Sequence, residues 1–442
     1  MRLKATLNIH EFSPESASPR LVYMAVKLHV SVLTLAMATL PAQVEKRRQT
    51  AYSPETGPLM VVQFNSWAEL EKYRPDWNQL LDEAPASIFM TPEWLGSWWR
   101  SFGADRRLCA LAFMNPQRRI LAIAPLYLET TSQFGISSTT LRLVGAGSGD
   151  SDDLNFIVQP GYEAAVAEAF AEWLSAGKNC DICALETLSE DSLTARHLFD
   201  AFHRRGWTTI REDLPHSFVE LPATWTGYLE TLQSDFRPLL TRYPKRLHSR
   251  FSVHISRCEK IEDLDSRLQT LFTLHQMRWT GRGEPGAFSD PHRRDFYSRM
   301  ASAFLLRGWL EFWFLRLENE IVAAQFCFRY RDTVSLLQEG FNPKYTAEKV
   351  GYALRAHVLQ KMIATGARRY DFLGGNDAYK ARFGSRQGQY RNFYFAGPSW
   401  KGRLLLIARK NSHSAKGWLK THLPEPITAL FQQRSKTTAT NG

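Results

Sequence analysis

"WLEFWFLRLENEIVAAQFCFRYRDTVSLLQEGF", residues 309–341, is three apolar runs split by polar turns at 318–320 and 331–332. Runs of this length, rich in aromatic and β-branched side chains, predict a three-stranded antiparallel meander. Downstream the period changes. "AEKVGYALRAHVLQKMIATG" (347–366) spaces Val350, Leu354, Val358, Leu359 and Met362 along one helix face, and Gly366 is placed to stop it. "ARRYDFLGG" (367–375) then reads as a short strand running into a glycine pair. Meander, helix and strand in that order predict an α/β unit with a mixed sheet.

Upstream, "DPHRRDFYSRMASAFLLRG" (290–308) reads as a helix, with Asp290 as cap and Pro291 at its first position. The same layout occurs earlier in the chain. "TPEWLGSWWRSFG" (91–103) predicts a helix capped by Thr91, and "LCALAFM" (108–114), the turn "NPQRR" and "ILAIAPLYLE" (120–129) predict a hairpin. A helix from about 161 to 176 and the strand "DICALETL" (181–188) follow. Helix, strand, turn, strand in each half predicts a duplicated unit. Two prolines in "DLPHSFVELPATW" make 213–225 read as a linker. The expected division is therefore an extension over 1–59, a first domain over 60–212, the linker 213–225, a second domain over 226–395 and a tail over 396–442.

The chain has 442 residues, 44% hydrophobic and 22% charged, a globular composition. Its net charge of +11 invites a nucleic-acid reading, but the excess sits at the ends. In 391–442 nine basic residues face Glu425 alone, and in 1–59 seven face four acids, which leaves 60–390 neutral. A folded body that binds nucleic acid carries its basic charge on the body, so no nucleic acid is expected. The basic C-terminal tail is expected to be solvated, or to dock on a membrane surface or an acidic partner such as a synthase complex. Five cysteines, an odd number, indicate free thiols and a reducing, cytoplasmic compartment. "MAVKLHVSVLTLAMATLPAQ" (24–43) weakly resembles an export signal, but it is short and interrupted by His29, so 1–59 is read as a disordered extension or an early start.

Residues 309–375 resemble the core of the GNAT acyltransferase superfamily, in which a splayed central strand offers backbone amides to an acyl donor and the next helix receives its phosphates. More specifically, "LHQMRWTGRGEPGAFSD", "VAAQFCFRY", "YDFLGGNDAYKARFG" and the early "SIFMTPEWLGSWWRSFG" resemble the CelD-like family of bacterial acetyltransferases. That family is associated with cellulose or other exopolysaccharide production, and the resemblance spans about residues 62–395. It is similar in turn to the Fem-type aminoacyl transferases, which have two GNAT-like domains. The resemblance implies a tandem GNAT-like α/β fold with mixed sheets flanked by helices. It also implies acetyl-CoA or another acyl-CoA as co-substrate, and a small-molecule or glycan-precursor acceptor. The rivals are an aminoacyl-tRNA-dependent transferase and a non-catalytic accessory protein of a polysaccharide synthase.

Several residues become candidates. The resemblance places Ala324, Gln325 and Phe326 on the amide-presenting strand and Lys349 and Gly351 at the donor's phosphates, although no full glycine-rich loop is present. "AYKARFG" matches a Fem-type Phe-Lys and Phe-Gly motif, which makes Lys380 the candidate stabiliser of a tetrahedral oxyanion and Tyr379 a proton donor. Asp371 closes the last strand as candidate base, with Gly374 and Gly375 allowing close approach to a ligand. His275 is an alternative base, and Arg278 and Trp279, on the same expected helix, are substrate contacts. Asp153, with Asp150 and Asp152 in "GAGSGDSDDLNF", suits a sugar hydroxyl or an amine. Their spacing fits no calcium loop, and no metal is expected. "FRPLLTRYPKRLHSRF" (236–251) reads as a basic helix broken at Pro244.

Overall fold

The structure is a computed structural model that describes residues 58–410 except 134–135, 178–179, 281–285 and 376. The expectations for 1–57 and for the tail beyond 410 lie outside the described residues. In the first half the strands are β1 (Met60–Phe64), β2 (Arg107–Leu108), β3 (Ala110–Met114), β4 (Ile120–Ala124), β5 (Leu126–Gln133), β6 (Ile136–Leu143), β7 (Ile157–Val158), β8 (Ile182–Ser189) and β9 (Thr208–Glu220). In the second half they are β10 (Val253–Arg257), β11 (Leu310–Leu317), β12 (Glu320–Tyr330), β13 (Thr333–Phe341), β14 (Arg369–Gly374) and β15 (Arg386–Ala396).

The expected meander is β11-β12-β13, paired antiparallel with one register shift in each pair. The helices flanking it begin as their caps require. Thr91 accepts a hydrogen bond from the Trp94 amide at the head of Pro92–Phe102, and Asp290 accepts one from the His292 amide at the head of Pro291–Leu306. The helix Val350–Ala364 follows β13. The helix Arg237–Arg250 runs unbroken through Pro244, contrary to the expected break there.

Four strands form one sheet, ordered β1-β3-β4-β7, and eleven form another, ordered β10-β11-β12-β13-β14-β9-β15-β8-β6-β5-β2. The larger sheet crosses both halves of the chain. This corrects the linker reading of 213–225, because β9 occupies 208–220 and pairs with β14 on one side and β15 on the other. Pro215 lies one residue beyond the last β14–β9 pair, Gly374–His216, and its carbonyl accepts from the Gly375 amide, so its missing N–H falls at the end of that ladder. The tail boundary moves as well. Residues 400–410 are helical, and Leu406 is buried against Ile182, Ala184, Tyr394 and Ala396.

Two apolar cores lie against the large sheet. One joins the first half to the helices Ile261–Thr280 and Pro291–Leu306, and includes Ala324, Phe326 and Leu373. The other lies under Val350–Ala364 and includes Val334, Leu336, Tyr370 and Phe372. Alternation along β14 thus sends Tyr370 and Phe372 to one face and Asp371 and Leu373 to the other. All five cysteines are free.

Candidate functional site

The parallel pair β13–β14 is joined over only three positions, Thr333–Ser335 against Arg369–Asp371. Beyond Ser335 the two strands part. Residues 336–341 of β13 remain in the ladder with β12 but, among the described residues, have no ladder partner on their other flank. A bulge at Leu337, between the Phe326–Gln338 and Cys327–Leu336 pairs, bends β13 where the gap opens. Backbone amides on the open flank are the groups an extended acyl donor can pair with.

The helix Val350–Ala364 starts above this gap. Its N-cap, Lys349, has φ 57°, and no side chain caps the first turn, so the amides there are directed outward. A cavity of about 350 Å³ sits at this helix start. It is lined by Glu339 and Phe341 of β13, by Tyr345, Thr346, Lys349, Val350, Gly351, Tyr352 and Arg355, and by Tyr379. A Cβ built on Gly351 would meet nothing but Phe341, at 3.8 Å, so the bare backbone there serves no internal packing. Arg355 is 4% exposed, ion-paired to Glu339, and enclosed by the rings of Phe372, Tyr379 and Phe383. The ion pair with Glu339, which lines the same cavity, fixes this guanidinium in the cavity wall.

Of the expected donor residues, Lys349, Gly351 and Tyr379 line this cavity. Ala324, Gln325 and Phe326 do not. Their strand is paired to β11 on one side and β13 on the other, so their amides are already engaged. The sheet opens one strand further on, where β14 pairs with β13 over three positions and with β9 on its other side.

Lys380 also lies elsewhere than expected. Its side chain is 4% exposed. Its ammonium donates to the carbonyls of Gly374 at 2.7 Å and Phe372 at 3.2 Å, lies 3.4 Å from those of Leu373 and Gly375, and is 3.6 Å from Asp377. An ammonium has three protons, and these carbonyls occupy them. Burial pushes the Lys380 pKa down, opposed by Asp377. The Lys380 ammonium thus holds the carbonyls at the end of β14 together. The glycine pair has an internal purpose too: a Cβ on Gly374 would lie 3.4 Å from the Asp152 carboxylate, and one on Gly375, at φ 98°, 3.4 Å from the Lys380 ammonium.

On the sheet face opposite the helix, Asp371 meets two aspartates of the first half. The Asp371 carboxylate accepts a hydrogen bond from the Leu373 amide at 2.7 Å, and Asp152 accepts one from the Gly374 amide at 2.7 Å. Burial, reinforced by Asp371 and Asp152, pushes the Asp153 pKa up to about 8. Burial also raises Asp371, to about 6, against its hydrogen bond from Leu373 and the charge of Arg369. Asp153 reaches a second cavity of about 280 Å³, lined with Ser87, Asn155, Glu163, Ser189, Asp191, Ser192 and Thr194 among others. Asp150 is not part of it: its carboxylate is ion-paired to Arg293 at 2.9 Å.

His275 is 3% exposed and packs edge-on against Phe288, on a helix whose backbone approaches β13 so closely that a Cβ on Gly340 would lie 2.6 Å from the His275 nitrogen. It lines neither cavity. The side chains of Arg278 and Trp279 lie outside the described residues. One histidine went unforeseen. His216 of β9 stacks on Tyr390 at 4.2 Å, its pKa is pushed down to about 4 by burial and then by Arg369 and Lys380, and its Nδ1 is buried with no partner among the described residues. Gly388 opposite admits the ring, since a Cβ there would lie 2.3 Å from Nε2.

Residues 234–381 match the acetyltransferase (GNAT) domain family. That region carries a GNAT domain, and the described residues as a whole form a mixed α/β fold with sheets flanked by helices. Among solved structures, FemX superposes with a TM-score of 0.52 at 10% identity, covering 72% of this chain and 95% of that one. The C-terminal domain of a putative lysylphosphatidylglycerol synthetase from Agrobacterium fabrum gives 0.46 at 11% identity, covering 77% and 96%. A tandem GNAT protein from the clavulanic acid pathway gives 0.44 at 12%, covering 77% and 99%. No curated protein sequence matches the chain. Among the described residues no helix is long and apolar enough to cross a membrane.

Proposed function

We propose that the protein transfers an acyl group, most simply acetyl from acetyl-CoA, to an amine or hydroxyl of a sugar or cell-envelope precursor. The observation that carries this reading is the unpaired flank of β13 beneath an uncapped helix start. The donor's phosphates lie at that helix start beside Lys349, and its extended arm pairs with the open flank, so that the reacting carbonyl reaches the gap between β13 and β14. The acceptor comes from the carboxylate side. Its nitrogen attacks the carbonyl carbon, the new C–N bond replaces the C–S bond, and the proton lost from nitrogen passes to Asp371. Tyr379, in the donor cavity, protonates the departing thiolate. Asp153, protonated near neutral pH, donates a hydrogen bond to an acceptor hydroxyl. The CelD-like resemblance makes an exopolysaccharide precursor, including one for cellulose, the first acceptor class to screen, and a cytoplasmic setting suits both substrates.

One observation favours a second donor. Arg242, Lys245 and Arg246 form an exposed basic face on Arg237–Arg250, and the neighbouring Arg250 lies 3.6 Å from Glu348, beside the donor cavity. A polyanion such as an aminoacyl-tRNA would suit that face. Competition settles the choice. Acetyl transfer that persists at full rate with excess tRNA supports acyl-CoA. Turnover with charged tRNA and none with acyl-CoA supports the second donor.

A further inference from the structure

We propose that the helix over residues 400–410 is a docking element that lies flat on an anionic lipid surface. Its inward side is fixed to the sheet. Leu406 is 1% exposed, Lys401 pairs with Asp181 at 2.9 Å, and the Arg409 guanidinium lies 3.7 Å from the Tyr394 ring centre and pairs with Glu212 at 3.6 Å. Its outward side is apolar. Trp400, Leu404 and Ile407, at helical spacings of four and three, are 75%, 54% and 54% exposed. Among the described residues four large apolar side chains are more than half exposed, and three of them share this one face, so the patch is not the usual scatter.

The charge around the patch identifies what covers it. Arg403 and Lys410, seven residues apart, lie along one edge of the apolar stripe, both exposed, and among the described residues neither makes an ion pair. From Asp377 to Glu425 the sequence has no acidic residue at all. A tryptophan and two aliphatic side chains rimmed by cations match the boundary between acyl chains and acidic headgroups. A second copy fits less well. Three such side chains bury on the order of 400 Å² per partner, about half of what a stable interface needs, and a two-fold contact would bring the cationic rims together. Docking here holds the catalytic body at a membrane surface, which does not depend on the acyl-transfer reading.

The test is sedimentation of the full chain with vesicles of phosphatidylglycerol in phosphatidylcholine, and of phosphatidylcholine alone. The expected result is binding to the acidic vesicles that weakens with salt, and a partition coefficient about tenfold lower in Trp400→Ser/Leu404→Ser/Ile407→Ser. Arg403→Gln/Lys410→Gln, which spares the packing, is expected to lose the preference for acidic lipid. Thermal melts of both variants show whether the body is intact. Failure to bind acidic vesicles, or equal binding by a folded triple-serine variant, overturns the proposal. So does a sedimentation-velocity dimer that the triple variant converts to monomer, which assigns the face to a second copy.

Discussion

The two cavities have opposite chemistry although each lies near the start of a helix. In the second half, Val350–Ala364 begins without a side-chain cap, beside Lys349 and the buried Arg355. In the first half, Glu163 heads the helix Glu163–Gly177 and accepts a hydrogen bond from the Gly161 amide, and the cavity wall adds Asp153 and Asp191. The chain beyond the parallel β6–β8 pair is also held shut. Trp94 donates to Ser151, Trp98 to Ser148, and Tyr127 to the Ala146 carbonyl, whereas the flank beyond the β13–β14 pair stays open. One unit is thus suited to a phosphate-bearing donor, and the other presents carboxylates to a neutral or cationic acceptor.

The largest expected effect separates the two sides. Asp371→Asn is expected to lower kcat by about 10²- to 10⁴-fold with the acetyl-CoA affinity unchanged. A parallel loss of donor binding would show that the carboxylates belong to the donor site instead. Lys349→Glu reverses a charge at the donor's phosphates and should weaken acetyl-CoA binding about tenfold without moving the acceptor KM. Equal effects on both substrates would merge the cavities.

Lys380→Met strands the carbonyls at the end of β14. In urea unfolding it should cost on the order of 2 to 4 kcal/mol while the folded fraction still binds acetyl-CoA. Unchanged stability with lost turnover would return Lys380 to the oxyanion role. The pH dependence is a smaller effect. Asp371 binds its proton more tightly when folded, up to about pH 6, and Asp153 up to about pH 8. The folded state therefore holds more protons than the unfolded one between pH 4 and 8, and these two groups make stability fall as pH rises through that window. His216, held down at about 4, works in the opposite sense below pH 6.5. Asp153→Asn should flatten the decline between pH 6.5 and 8 in urea titrations, and an unchanged slope would remove Asp153 from the coupled cluster.

Local signals were legible in the sequence. Thr91, Asp290 and Gly366 mark helix ends where the structure has them, and the three runs in 309–341 are the three strands. What local signals do not carry is pairing at long range. Nothing near 213–225 announces that it joins β14 to β15, and its prolines point the other way. For the same reason Ala324, Gln325 and Phe326 look like the amide-presenting strand, while the gap lies between β13 and β14. The motif around Lys380 suggests an oxyanion stabiliser, while its partners are carbonyls, which leave no mark on composition. His216 had no motif around it. Arg355 and Glu339 did leave a signal, since each is a charge inside an otherwise apolar periodic segment, and such a pair marks a buried polar contact.

The most direct measurement is isothermal titration of the full-length protein with acetyl-CoA beside its Gly351→Phe variant. The account predicts one site with a Kd in about the micromolar range, and at least tenfold weaker binding when the phenyl ring fills the cavity at the helix start. No heat from the wild type, or equal affinity in a folded variant, would contradict it.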